Sequence, residues 1–279
     1  MAAKLRVGIV APGSRLEPSI AGRVSALATQ RHPDIELYVH PQCGMSSGHF
    51  AGDDAARTAA FLDIANDASF DALWFARGGY GSCRVAMAAL PRLNDAARRK
   101  TYLGYSDAGA LLAGLYAMGF AGCAHGPMPA DINRDGGEQA VGRALDYLAR
   151  RAAATLEPSI EPSRKAVAFN MMTFSQLIGT PLQPDLTGHV LMLEEVSEQL
   201  YRIDRTLFHI TGNPAIRRVA GLRLGRCTAI PPNDPDFGQT EVEIVRHWCG
   251  VSGIPYLGRA DIGHDAANKI VPFGAPPAA

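Results

Sequence analysis

The sequence predicts an α/β protein in two parts, and three observations lead there. Short apolar runs of strand type alternate with amphipathic helical runs as far as Arg151, the pattern of a parallel sheet covered on both faces. The segment Leu156–Lys165 then turns polar and rich in proline and serine, as a linker does. Beyond it the chain carries more proline and shorter strand-like runs. The expected organisation is an N-terminal flavodoxin-like α/β domain over 1–153, a linker over 154–166, and a smaller mixed α/β, β-rich domain over 167–279.

The elements follow in order. Leu5 to Ala11 is an apolar run closed by Pro12-Gly13-Ser14, a buried strand and its loop. Pro18 to Thr29 sets Ile20, Val24 and Leu27 on one helical face, and Ile35 to Val39 is a second strand. Pro41 to Asp54 has no periodicity; Asp53 or Asp54 can cap a helix running to Ala65. Ala72 to Ala76 is a third strand, leading into Arg77-Gly78-Gly79-Tyr80-Gly81-Ser82. Glycines packed this densely after a strand mean backbone that approaches something closely or takes positive φ. A helix from Cys83 to Leu90 is stopped by Pro91. Tyr102 to Gly104 is the central strand; the turn after it carries Ser106, and helical spacing resumes from Ala108 to Met118. Ala121 to Ala124 leads into His125-Gly126-Pro127-Met128, and Gly137 to Ala154 is a further helix. In the second half, Val190–Val196, Val219–Leu224, Ile254–Leu257 and Ile270–Phe273 read as strands, and Tyr201–Ile210 and Glu241–Cys249 as helices.

Composition narrows the function classes. Basic and acidic residues balance at 27 each and the pI is near 7.1, so no electrostatic footprint for nucleic acid or an anionic membrane is present. Arg98-Arg99-Lys100 and Arg150-Arg151 read as solvated helix ends. No signal peptide or membrane span is apparent, and the expectation is a cytoplasmic protein. The five cysteines are scattered without a C-x-x-C pair, which fits free, mostly buried thiols. The histidines lack metal-site spacings, so neither metal nor other cofactor is expected.

A parallel sheet brings the loops Arg77–Ser82, Gly104–Asp107 and His125–Met128 to one edge. The strand–turn–helix at Ser106 would lift a hydroxyl off that edge toward helix N–H groups. The second glycine of the hydrolase elbow G-x-S-x-G is one position late, at Gly109, and Ser106 or Asp107 could equally cap the next helix. A serine nucleophile needs a base and an orienting carboxylate. Of eight histidines, His264 stands apart, in a strand-ending loop directly after Gly263. The carboxylate candidates sit in Leu191-Met192-Leu193-Glu194-Glu195, where a strand-end glutamate is either paired or turned to water.

The ordered set Arg77-Gly78-Gly79-Tyr80-Gly81 with Arg84, Gly104-Tyr105-Ser106-Asp107, His125-Gly126-Pro127-Met128, Gly179-Thr180-Pro181, Leu193-Glu194-Glu195-Val196, Tyr201-Arg202-Ile203-Asp204-Arg205, Gly221 to Gly225, Gly263-His264 with Asn268, and Pro272-Phe273-Gly274 resembles the LD-carboxypeptidases. These serine peptidases are also called muramoyltetrapeptide carboxypeptidases. The resemblance implies Ser106 as nucleophile, Glu194 as orienting acid and His264 as general base. Glu195 is the near rival of Glu194, and Glu198 a weaker one. It implies an oxyanion hole from the amide of Asp107 and that of Gly78 or Gly79.

The implied substrate is a small peptide, a cytoplasmic murein tetrapeptide stem that loses its terminal D-alanine in peptidoglycan recycling. The implied assembly is a homodimer. A terminal carboxylate needs a cation, for which Arg77 and Arg84 are candidates, with Tyr80 beside them for substrate. Phe169-Asn170-Met171-Met172-Thr173 departs from the family's Gly-Gly-Asn-Leu, which bears on substrate preference. Ser106 and His264 fall on opposite sides of the linker, so the site is expected at the domain interface, with domain closure as its gate. Two other functions fit the same residues: an immunity peptidase that cuts a peptide–nucleotide antibiotic, and a non-catalytic two-domain binder of small molecules.

Overall fold

The computed structural model describes residues 4–275. The first half comprises β1 (Leu5–Val10), α1 (Pro18–Arg31), β2 (Ile35–Val39), α2 (Asp54–Ala65), β3 (Ala72–Phe75), α3 (Ser82–Ala89), β4 (Thr101–Gly104), α4 (Gly109–Ala117), β5 (Cys123–His125) and α5 (Gly137–Arg150). The second comprises β6 (Ala166–Asn170), α6 (Met171–Leu177), β7 (Val190–Val196), α7 (Leu200–Gly212), β8 (Gly221–Thr228), α8 (Glu241–Ser252), β9 (Tyr256–Arg259) and β10 (Val271–Pro272). Among the described residues, no helix is long and apolar enough to cross a membrane.

The first sheet runs β10-β5-β4-β3-β1-β2. Strands β1 to β5 are parallel in the doubly wound, flavodoxin-like order. Period-two alternation divides β3 between two cores: Leu73 and Phe75 join the layer under α2, α3 and α4, while Ala72 and Trp74 join the layer under α1 and α5. The second sheet, β6-β7-β8-β9, is wholly parallel and carries α6, α7 and α8.

The expected separation of the halves is only partial. β10 pairs antiparallel with β5, placing Val271 opposite His125 in the first sheet. One apolar cluster runs from Tyr102 and Leu111 through Phe169 and Phe174 to Leu191 and Leu222. Glu157, in the expected linker, is buried, and its carboxylate accepts the Ser159 and Asp261 amide N–H groups.

Other expectations also change. Lys100 is buried rather than solvated, its Nζ donating to the Asp67 and Phe70 carbonyls at 2.5 Å. Arg151 is exposed, as a helix end is expected to be, and also donates to the Tyr147 and Thr101 hydroxyls. At the Phe169–Thr173 departure from the family pattern, β6 passes directly into α6 at Asn170, whose side chain caps α6 through the Thr173 amide.

Candidate active site

Ser106 is displayed by a strained turn. β4 ends at Gly104, where a Cβ would come within 2.8 Å of the Phe75 ring, so the strand must pass here without a side chain. Tyr105 stays extended, and Ser106 takes φ +58, a left-handed conformation rare outside glycine that costs about 1–3 kcal/mol. A 3-10 turn over Ser106–Ala108 then feeds α4. Neither side chain caps that helix. The Asp107 carboxylate instead accepts the Ser82 N–H at 2.8 Å, capping α3, and the Ser106 hydroxyl is left for another partner.

That partner is His264. A carboxylate can only accept, so the imidazole Nδ1–H donates to Glu194 Oε2 at 2.5 Å, and the Ser106 hydroxyl donates to Nε2 at 3.0 Å. Glu194 lies on β7 with no exposed surface. Gly225 on β8 makes room for it, since a Cβ there would stand 2.7 Å from the Glu194 Cβ. Burial alone would lower the His264 pKa, but the charge and hydrogen bond of Glu194 outweigh it and the net shift is upward.

The rival carboxylates have other duties. Glu195 accepts from the Asn170 side chain and from the Met172 and Val196 amides. Glu198 pairs with Arg202. The His264 loop is pinned from both halves. Arg226 clamps Asp261 and Asp265, and Arg143 of α5 donates to the Ala266 and Asn268 carbonyls. Asn268 Oδ1 accepts from the Gly263 N–H and from His125 Nε2–H, and burial pushes the His125 pKa down to about 3.

The glycine loop closes over the serine. A Cβ on Gly78 would lie 2.8 Å from the Ser106 hydroxyl, and Gly79 takes φ +100 with Ser14 where its Cβ would be. Arg57, buried and with the Phe50 ring 4.3 Å from its guanidinium carbon, donates to the Pro12 and Gly81 carbonyls and so braces the loop. Two cavities flank Ser106. One, of about 400 Å3, includes His264, Arg77, Asn133 and Arg134; the other, of about 320 Å3, includes Tyr80, Cys83, Met172 and Leu177. Arg84 lines neither. It pairs with Asp54 and keeps half of its side chain exposed.

A hydroxyl, an imidazole and a buried carboxylate in hydrogen-bonded series can carry out nucleophilic acyl transfer. Residues 7–126 match the LD-carboxypeptidase N-terminal domain and residues 165–277 the LD-carboxypeptidase C-terminal domain. A Synechocystis protein named as a carboxypeptidase is 30% identical over 82% of this chain and 76% of its own length. The chain belongs to the LD-carboxypeptidase family. The murein tetrapeptide carboxypeptidase of Pseudomonas aeruginosa is 23% identical over 96% of this chain and 91% of its own. Among solved structures, the muramoyltetrapeptide carboxypeptidase of Oxalobacter formigenes superposes with a TM-score of 0.80 at 21% identity, covering 96% of this chain and 93% of that one. A microcin C7 self-immunity protein in complex with aspartyl sulfamoyl adenosine gives 0.80 at 17% identity, covering 98% and 92%. At these identities the two structures speak for the fold.

For an LD-carboxypeptidase family member, two site residues were hidden from sequence reasoning. Arg134 lies in a polar turn with no periodicity, and what fixes it is Asp131, three positions earlier. Asn268 belongs to a motif whose spacing says nothing of its partners; its bonds to His125 and Gly263 depend on β10 bringing the chain back to the first sheet.

Proposed function

We propose that the chain is a serine-type LD-carboxypeptidase that releases the terminal D-alanine of murein tetrapeptide in the cytoplasm, in peptidoglycan recycling, and works as a homodimer. The hydrogen-bonded series Ser106–His264–Glu194 supports this above all. Ser106 Oγ attacks the carbonyl carbon of the L,D amide as His264 Nε2 takes its proton. The amides of Asp107 and of Gly79 or Gly78 receive the oxyanion; losing one such donor typically costs about 10²–10³ in turnover. The imidazolium returns the proton to the amide nitrogen, the C–N bond breaks and D-alanine leaves. Water, deprotonated by His264, then attacks the acyl-enzyme and frees the tripeptide. Positions 1–153 supply the nucleophile and positions 167–279 the carboxylate and imidazole.

Mass spectrometry of purified protein with murein tetrapeptide tests this. Release of D-alanine by the unaltered chain, lost in His264→Ala, is the expected result; no release by the unaltered chain refutes it. The immunity peptidase is the second reading, since the fold is shared equally with the microcin C7 self-immunity protein and with the carboxypeptidase. Hydrolysis of an aminoacyl sulfamoyl nucleoside conjugate in preference to the tetrapeptide would decide for it. A non-catalytic binder would leave Ser106 unlabelled by a fluorophosphonate probe.

A further inference from the structure

We infer that Arg134 reads the free carboxylate of the departing amino acid and so restricts the site to chain ends. The inference rests on the hydrolytic reading above, because that chemistry fixes the direction of the substrate. The imidazole that takes the serine proton must deliver it to the leaving amine, so the departing residue lies on the His264 side of Ser106. Of the two cavities at Ser106, only the larger includes His264, and it is the one with Arg77 and Arg134. The smaller, lined by Tyr80, Ala110, Met172 and Leu177, is left for the acyl portion.

Arg134 is held ready for an anion. Its Nε–H donates to Asp131 Oδ1 at 2.8 Å, which fixes the plane of the guanidinium. Asp131 is buried and has two further donors: Oδ1 also accepts the Tyr105 hydroxyl, and Oδ2 the Met128 N–H, each at 2.8 Å. Its charge is therefore shared among three donors. Arg134 Nη2 reaches the Tyr105 hydroxyl at 3.5 Å, Nη1 has no hydrogen-bond partner among the described residues, and the side chain keeps 41% of its surface exposed. Arg77 lines the same cavity; it donates to the Arg15 carbonyl at 3.2 Å and has no carboxylate partner among the described residues. A guanidinium held in plane with Nη1 free, in a cavity that a second arginine also lines, suits a carboxylate, and a cavity of about 400 Å3 has room for one small amino acid.

The test compares murein tetrapeptide with the same peptide ending in D-alaninamide. The unaltered chain should favour the free acid in kcat/KM by about 10- to 100-fold, the weight of a charge-assisted hydrogen-bond pair. Arg134→Met should abolish that preference, lowering kcat/KM for the acid far more than for the amide, with the difference in KM. Arg134→Lys, which keeps the charge and loses the fork, should fall between the two. Equal cleavage of acid and amide by the unaltered chain, or an undiminished preference in Arg134→Met, overturns the inference and leaves the proposed function standing. Cleavage of neither by the unaltered chain overturns both. A melting curve for each variant separates loss of recognition from loss of fold. As a second readout, D-alanine should bind Ser106→Ala protein measurably more tightly than D-alaninamide does, a difference that disappears in Ser106→Ala/Arg134→Met.

Discussion

His264 Nε2 stands 3.0 Å from Ser106 Oγ although 158 positions separate them. Two sheets supply the contact: the serine leaves the end of β4, and the histidine sits in the loop between β9, in the second sheet, and β10, in the first. Because that loop is anchored in both sheets, the distance is set by the packed interior. The contact should persist without substrate, and its titration should appear in the rate.

Only neutral His264 can accept the serine proton, and Glu194 raises its pKa. The kcat/KM profile should therefore rise with pH through a midpoint above about 6.5, the ordinary imidazole value. Glu194→Gln removes both the charge and the ionic hydrogen bond and leaves the lowering effect of burial. The midpoint should then move below about 6.5 while kcat falls by about 10⁴. The effect on stability has the opposite sense. A pKa raised in the folded state contributes stability that is complete below the unfolded pKa and is lost as pH rises through the folded one. A midpoint that does not move in Glu194→Gln would remove Glu194 from the series.

Gly78→Ala tests the glycine loop. The new methyl would stand 2.8 Å from Ser106 Oγ and 3.0 Å from its Cβ, so either the hydroxyl or the loop must shift. Displacements of about 1 Å at a reacting atom cost on the order of 10² in rate. We expect a loss of that size in kcat with little change in melting temperature, since the methyl meets a half-exposed side chain.

Glu195→Gln should separate structure from chemistry in the adjacent pair. Glu195 accepts three hydrogen bonds, two of them from backbone N–H groups at the start of α6 and the end of β7. An amide must turn one N–H2 group toward these donors, at a cost of about 1–3 kcal/mol in unfolding free energy by denaturant titration. Turnover of Glu195→Gln should stay within about tenfold of the unaltered chain, against the far larger loss expected for Glu194→Gln.

This pair marks how far the sequence could be read. The Ser106 turn was legible because a strand, a glycine and a helical run adjoin within a few residues, all local signals. Which of Glu194 and Glu195 faces the histidine was not, since neighbours on a strand face opposite ways and β7 shifts register against β8 between Leu193 and Glu195. Family resemblance singled out position 194; physics enters through Gly225, which opens the space. β10 was legible as a strand but not as a member of the first sheet, because its partner β5 lies far away in sequence. Arg84 and Arg134 show the same limit from the other side. Both are arginines near glycine-rich or polar turns and each pairs with an acidic neighbour, Asp54 or Asp131, yet of the two only Arg134 lines the cavity that holds Ser106 and His264.

The histidine of the third loop, His125, should appear in acid stability. It is buried beneath the His264 loop, donates to Asn268, and burial lowers its pKa to about 3. Between about 6.5 and that value the unfolded chain takes up a proton that the folded chain refuses. The contribution is fully present above the unfolded pKa and is lost as pH falls toward the folded one. It amounts to several kcal/mol, on the order of 1.4 per pH unit. His125→Gln, which can still donate to Asn268, has no such titration. Its unfolding free energy should fall less steeply with acid than that of the unaltered chain, and the two curves should approach each other as pH drops below about 6.5. Parallel curves over that range would mean that His125 is protonated in the folded protein, and its place between Asn268 and the β5 strand end would then have to accommodate a charge.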